Sequence, residues 1–274
     1  MTSHTISGSG GVGLHVSEHG DSAGRPILLI HGWSQSELCW TKQYEAAELS
    51  GFRLLGLDLR GHGMSDRPAL QDDYTDGEKW ADDIAAVIRD LGLDQPILVG
   101  WSYAGFVIGD YLQRYGGDNI GGINFVGAAV VLRPDVFGTM IGPGFFDHAP
   151  AACSPDLAES IQAVRSFLRG CTFAPLPADE FETCLAFNMV VPHWVRGFLI
   201  QRELDFGSTL KDCKLPALVT HGRADVVVLP AMAEFVLGQC GNAKASWYDE
   251  VGHTPFMERP DRFNRELSDF ARSI

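Results

Sequence analysis

The sequence is short of positive charge, of paired cysteines and of long apolar runs, and each shortage removes a class of function. Lys and Arg number 21 against 35 Asp and Glu, a formal net charge of −14. A phosphate backbone or an anionic lipid surface is repelled by such a field, so neither nucleic acid nor membrane is expected as a partner. No apolar stretch reaches the roughly 18 residues that a membrane-spanning helix needs. The start, MTSHTISGSGG, has neither a basic region nor an apolar core, so no secretory signal is expected. Six cysteines (Cys39, Cys153, Cys171, Cys184, Cys213 and Cys240) are scattered without a CxxC pair. They read as free thiols in a reducing cytoplasm rather than as a disulfide scaffold. Neither HExxH nor any paired His/Cys spacing occurs, so no metal is expected, and nothing in the sequence asks for a cofactor.

What is present is an alternation. Short, nearly continuous apolar runs occupy residues 27–30, 54–57, 97–99, 125–132 and 217–220. Runs apolar on both faces suit central strands of a parallel sheet covered on both sides. Between them, Trp80, Ile84, Val87, Ile88 and Leu91 keep helical spacing, as do Phe263, Leu267, Phe270 and Ile274. Strand–helix alternation of this kind predicts an α/β fold with a doubly wound sheet. The first 25 residues read instead as a glycine-rich turn and an alternating strand at 14–18, an antiparallel edge. Between residues 133 and 214 the rhythm stops: no run of the strand type appears, and helical spacing returns at Leu157, Ile161, Val164 and Phe167. The chain therefore divides into a core of 1–132 and 215–274, with a helical cap of 133–214 inserted after the sixth strand. Gly142 and Gly144 in that segment are either a hinge or a rigid turn.

Three segments carry the chemistry. Gly100-Trp101-Ser102-Tyr103-Ala104-Gly105 joins an apolar strand to an apolar helix. A serine at such a corner needs small neighbours two residues either side, which Gly100 and Ala104 supply, although the strict G-x-S-x-G pattern has glycine at the second place. The helix that follows turns free N–H groups and a positive dipole end toward the site. His221-Gly222-Arg223-Ala224-Asp225 follows the run 217–220, and Val251-Gly252-His253 follows a strand-like segment at 245–248. A serine nucleophile needs a base, and the base an orienting acid. Ser102, Asp225 and His253 are the expected set, with Asp135 and Asp249 as alternative acids. Each of the three falls just past the carboxyl end of an expected strand, where α/β sheets bind ligands. Gly8-Ser9-Gly10-Gly11-Val12-Gly13 matches GxGxxG, but a strand and no helix follows, so a hairpin turn is expected there rather than a dinucleotide site.

With these motifs, His31-Gly32-Trp33 and Asp58-Leu59-Arg60-Gly61-His62-Gly63-Met64-Ser65, the sequence resembles the α/β-hydrolase fold superfamily over essentially its whole length. It looks most like the small bacterial esterases and cofactor-free haloperoxidase-like enzymes (perhydrolases). The resemblance implies an α/β-hydrolase fold: a mostly parallel, doubly wound sheet of about eight strands carrying a helical cap. It also implies that the backbone N–H groups of Trp33 and Tyr103 form the oxyanion hole. Ser34 stands where that group often has proline, which argues against peroxidase-type activity.

The expected function is hydrolysis of carboxylic esters through an acyl-enzyme on Ser102, with a small to medium, largely apolar substrate. Lactonase, perhydrolase and carbon–carbon bond hydrolase chemistries use the same triad and remain alternatives. A receptor that keeps the triad without turnover is a further one. Dehalogenases and epoxide hydrolases of related fold use Asp at the elbow, and Ser102 argues against both. Phe137, Met140, Phe145, Phe146, Met189 and Trp194 are expected to line the substrate pocket. His31, His62 and His221 are expected to be structural, and Trp101 to pack against the sheet. The partner is a small-molecule ester, the assembly a monomer or a dimer, and the location cytoplasmic.

Overall fold

The apolar runs of the sequence form the centre of one sheet. The computed structural model describes residues 2–274. Its strands are β1 (Thr2–Ser7), β2 (Gly13–Gly20), β3 (Pro26–Ile30), β4 (Arg53–Leu57), β5 (Ile97–Trp101), β6 (Gly122–Val126), β7 (Val131–Leu132), β8 (Leu204–Asp205), β9 (Ala217–Gly222) and β10 (Ala243–Tyr248). Among the described residues, eight of these form one sheet in the order β1-β2-β4-β3-β5-β6-β9-β10. Strands from β4 to β10 run parallel, whereas β2 is antiparallel to both β1 and β4. Every residue of β3, β5 and β6 is buried, as a sheet with both faces covered requires.

Helices cover it. Helix α1 (Gly77–Asp90) buries Trp80, Ile84, Val87 and Ile88, and the Asp76 side chain caps it by accepting the Glu78 N–H. It packs on α2 (Ala104–Tyr115), which follows β5. Between β7 and β9 lie α3 (Ala149–Ala152), α4 (Leu157–Gly170), α5 (Ala178–Val190) and α6 (His193–Leu199), with shorter turns between them. Helix α7 (Pro230–Gln239) packs on β9, and α8 (Pro260–Ser273) closes the chain, burying Phe263 and Leu267.

Two readings of the sequence need correction. The edge of the sheet is β1, not the alternating strand at 14–18, which lies inside β2 with a neighbour on each side. β1 escaped notice because only Ile6 of its six residues is buried, so it shows no period-2 pattern. The hairpin between them turns at Gly10 and Gly11, both at positive φ, and runs straight into β2. The apolar run 125–132 is likewise not one strand. β6 stops at Val126, and Gly127 takes a φ of 48° that turns the chain out of the sheet, toward the loops at its carboxyl edge. A side chain there would stand 3.1 Å from His253 Nδ1. The run resumes as β7, which pairs with β8 in a separate ladder that joins the two ends of the helical segment. Gly142 and Gly144 are a rigid turn: their N–H groups donate to Val227 O and Val226 O, each at 2.9 Å, and a Cβ on Gly142 would collide with the Val226 carbonyl.

The turns at the carboxyl edge are held by buried polar groups. Arg60 and Asp83 form a bidentate pair with both contacts at 2.7 Å, fully enclosed, tying the 58–65 turn to α1. His31 Nδ1 donates to Gly32 O (2.8 Å) while its Nε2 accepts the Leu59 N–H (3.1 Å). His62 Nδ1 donates to Arg60 O (2.9 Å), and its Nε2 accepts the Ser34 N–H (3.2 Å). Burial holds the His62 imidazole neutral, its pKa pushed down from 6.5 to about 3. The six cysteines are unpaired, and among the described residues no helix is long and apolar enough to cross a membrane.

Removing one partner of the Arg60–Asp83 pair strands a buried charge, so Asp83→Ala is expected to destabilise the fold by about 3–5 kcal/mol in urea unfolding. A loss under about 1 kcal/mol would show that Arg60 is satisfied by its carbonyl contacts alone. His62 predicts a pH dependence. The unfolded imidazole takes up its proton near 6.5 and the folded one only near 3. Stability is therefore complete above 6.5 and falls as pH drops below it, by up to about 1.4 kcal/mol per pH unit for this group. His62→Gln should flatten the fall in urea stability between pH 6.5 and 4.5, and parallel slopes would refute the assignment.

Candidate active site

Ser102 stands between β5 and α2 at a φ of 58°, a left-handed conformation that a side chain adopts only under constraint. The constraint is visible on both sides of the turn. The Ser102 N–H donates to Val126 O, and its carbonyl accepts the N–H groups of Gly105 and Ala129, all three at 3.0 Å. Gly32 presses against it from the neighbouring loop, and a Cβ there would lie 2.8 Å from that of Ser102. Ala104 replaces the usual glycine without conflict because Gly100, across the turn, offers no Cβ. One built there would lie 3.3 Å from the Ala104 methyl. The turn leaves Ser102 partly exposed while its neighbours are buried.

His253 lies in the loop after β10 and is completely buried. Its Nδ1 is 2.7 Å from Asp225 Oδ2. Asp225, in the turn after β9, is held in turn by the N–H groups of Val227 (2.8 Å) and Val228 (3.0 Å), both donating to Oδ1. Since these oxygens accept, Nδ1 donates and Nε2 carries the lone pair. That Nε2 is buried, and among the described residues no protein group, Ser102 Oγ included, hydrogen-bonds to it. Two further bonds fix the histidine's backbone: its N–H donates to Cys171 O (2.7 Å), and its carbonyl accepts Trp101 Nε1 (2.9 Å). Trp101 thus serves the histidine loop, standing edge-on to Phe256, rather than merely filling space on the sheet. His221 donates Nε2 to Val228 O at 2.9 Å, bracing the same turn, and burial lowers its pKa.

The alternative acids lie elsewhere. Asp135 is exposed and pairs with Arg133, and Asp249 is exposed and pairs with Arg223. The backbone N–H groups of Trp33 and Tyr103 flank Ser102 in the adjoining turns, and among the described residues neither donates to a protein acceptor.

A cavity of only about 30 Å³ adjoins Ser102, lined otherwise by apolar atoms of Trp33, Tyr103, Phe106, Ala129, Leu132, Ile141, Phe145, Ile200, Val227 and Val228. That is room for two or three waters at about 10–15 Å³ each. Of the six side chains expected at the pocket, Phe145 is there, edge-on to Trp33. The other five do not line it. Phe137 is 46% exposed and stacks near Phe146, and Trp194 packs on Tyr74 and Phe198. Met140 and Met189 pack against the general core. Residue type alone had selected these six, whereas lining depends on position. The better signal was the apolar run Val226-Val227-Val228-Leu229 directly after Asp225, which reaches the site because Asp225 does. A larger cleft of about 620 Å³, beside Gln95, Leu112 and Thr209, contains none of Ser102, Asp225 and His253. Among the described residues, no group of three or more His, Cys, Asp or Glu could hold a metal ion.

This arrangement can be compared with known proteins. Residues 25–260 match the alpha/beta hydrolase fold family. The structure of the esterase RhEst1 from Rhodococcus sp. ECU1013 superposes with a TM-score of 0.94 at 33% identity, covering 100% of this chain and 99% of that one. A bifunctional esterase/perhydrolase from Acinetobacter calcoaceticus is 27% identical over 96% of this chain and 97% of its own length. A non-heme chloroperoxidase from Streptomyces lividans is 26% identical over 98% and 99%. With a serine at the strand–helix elbow and a family match across most of its length, the chain belongs to the alpha/beta hydrolase fold family.

Proposed function

We propose that this protein hydrolyses carboxylic esters of small, largely apolar acids through an acyl-enzyme on Ser102. The observation that carries the reading is the pairing of His253 with Asp225 beside the strained Ser102 elbow: the carboxylate accepts the Nδ1 N–H at 2.7 Å and so leaves Nε2 as the acceptor. Ser102 Oγ attacks the ester carbonyl while His253 Nε2 takes its proton, and Asp225 holds the tautomer and stabilises the imidazolium. The proton then passes to the leaving alkoxide. Water, activated by the same nitrogen, releases the acid. The free N–H groups of Trp33 and Tyr103 receive the oxyanion, each contributing about 3 kcal/mol when well aimed.

Residues 133–214 act in this reading as the cap, supplying Ile141, Phe145 and Ile200 to the cavity wall. The six free cysteines support a cytoplasmic location. Esterase and esterase/perhydrolase relatives support ester cleavage. Nothing at the site favours perhydrolysis over it. The proline that the haloperoxidase-like group often carries after HGW cannot stand here, because Ser34 has a φ of 63° and donates its N–H to His62.

The test is turnover of p-nitrophenyl esters from acetate to decanoate. Ser102→Ala is expected to lose about four orders of magnitude or more in kcat, and Asp225→Asn about 10⁴-fold through the wrong histidine tautomer. Undiminished turnover in Ser102→Ala would end the acyl-enzyme reading, and undiminished turnover in Asp225→Asn would reassign the acid. The narrow apolar space beside Ser102 places the optimum among the short acyl chains; an optimum at octanoate or decanoate would refute the small-acid assignment.

A further inference from the structure

Arg196 of α6 is buried to 1% exposure, yet among the described residues no carboxylate lies within ion-pair distance of it. Its guanidinium is satisfied by neutral acceptors. Nε donates to Ala152 O (2.8 Å), Nη2 to Ser160 Oγ (2.8 Å), and Nη1 to Asn188 O (3.0 Å) and Ser34 Oγ (3.5 Å). One cation therefore gathers α3, α4 and α5 and reaches the loop after β3. A buried charge without a counter-ion costs several kcal/mol in a protein interior, and an apolar residue of like volume would fill the space at less cost. The position therefore calls for an explanation beyond packing.

The explanation lies in what else meets there. Trp33 Nε1 donates to the Arg196 carbonyl (3.1 Å), Ser34 Oγ donates to Asn188 O (3.4 Å), and Asn188 Nδ2 donates to Gln35 Oε1 (3.3 Å). Three consecutive residues of the 33–35 turn are thus bonded to the α5–α6 hairpin. The core holds the same turn through the Ser34 N–H, which donates to His62 Nε2, and the Gln35 N–H closes it onto Gly32 O. Ser34, at its positive φ, fixes the direction of the turn that presents the Trp33 N–H.

We propose that Arg196 is a positioning residue for the oxyanion donor. Through Ser34, Asn188 and its own carbonyl it holds the 33–35 turn that carries the Trp33 N–H, and so aims that donor at the tetrahedral intermediate. The proposal rests on the ester-hydrolase reading of Ser102. A residue acting on the intermediate alone changes kcat and leaves substrate binding unaltered. Its removal misplaces a donor without deleting it, so a loss of about tenfold to a hundredfold is expected.

The experiment compares wild type, Arg196→Met and Arg196→Lys on p-nitrophenyl butyrate, with n-butaneboronic acid as an anionic tetrahedral mimic on Ser102. The Met variant is expected to lose kcat at unchanged KM and to weaken boronic-acid inhibition by the same factor. The Lys variant, which keeps the charge and can reach the Asn188 carbonyl, should recover most of both. Equal losses in Met and Lys with boronic-acid inhibition unchanged, or a change confined to KM, would overturn the proposal and leave Arg196 a packing residue. Should Arg196→Met fail to fold, the Lys variant decides: kcat and boronic-acid inhibition lowered by the same factor at unchanged KM support positioning, while a change confined to KM, or none at all, opposes it. Amide hydrogen exchange of the 31–37 segment separates this outcome from failure of the ester reading. If wild type shows no Ser102-dependent turnover, faster exchange there in either variant still supports positioning by Arg196, and unchanged exchange overturns it.

Discussion

The constraint on which the site depends is the left-handed turn at Ser102. A serine at a φ of 58° stays there only because its surroundings leave no alternative, and those surroundings are the centre of the sheet. β5 is flanked by β3 and β6, and the turn hangs between loops that leave those same two strands. Gly32 comes from one side, where a side chain would strike Ser102, and the Ser102 N–H is taken by Val126 from the other. The strain is thus set against the most deeply buried part of the molecule. Ser102, the N–H groups beside it and the paths of both neighbouring loops are fixed by one turn.

Much of this was legible in the sequence for a simple reason. Strands covered on both faces must be apolar throughout, so β3, β5 and β9 announce themselves without any periodicity. The residues that follow them, His31-Gly32, Ser102 and Asp225, could be placed at one edge of the sheet by order alone. The Ser102, Asp225 and His253 set was recognisable because each member follows a strand. What stayed hidden was structure decided by contact rather than by composition. β1 is too polar to show a pattern and exists because β2 pairs with it. The break at Gly127 depends on how close His253 comes, which no local stretch encodes. The cavity wall was misread because large aromatic residues are as useful in the interior of a helical segment as at a substrate. Trp194 and Phe198 show this by packing on Tyr74.

The polar interior divides its labour between two kinds of bond. Neutral imidazoles at His31, His62 and His221 bridge backbone groups of adjacent turns and tolerate burial because they carry no charge. Guanidinium groups at Arg60 and Arg196 span several elements at once, which a planar, five-donor head does better than any other side chain. Arg60 meets a carboxylate, whereas Arg196 is held by carbonyl and hydroxyl oxygens alone.

The short β7–β8 ladder, finally, places the two ends of the intervening segment side by side, with Val131 opposite Asp205 and Leu132 opposite Leu204. Seen from the sheet, some seventy residues therefore enter and leave through a single doorway. Closing a loop costs little more as it lengthens, so the sheet is almost indifferent to how much chain lies beyond the doorway. The segment is a replaceable cassette. The register of β5, β6 and β9 therefore does not depend on how much chain lies beyond the doorway, and what ties that chain to the rest is its few bonds to the 33–35 turn and to His253.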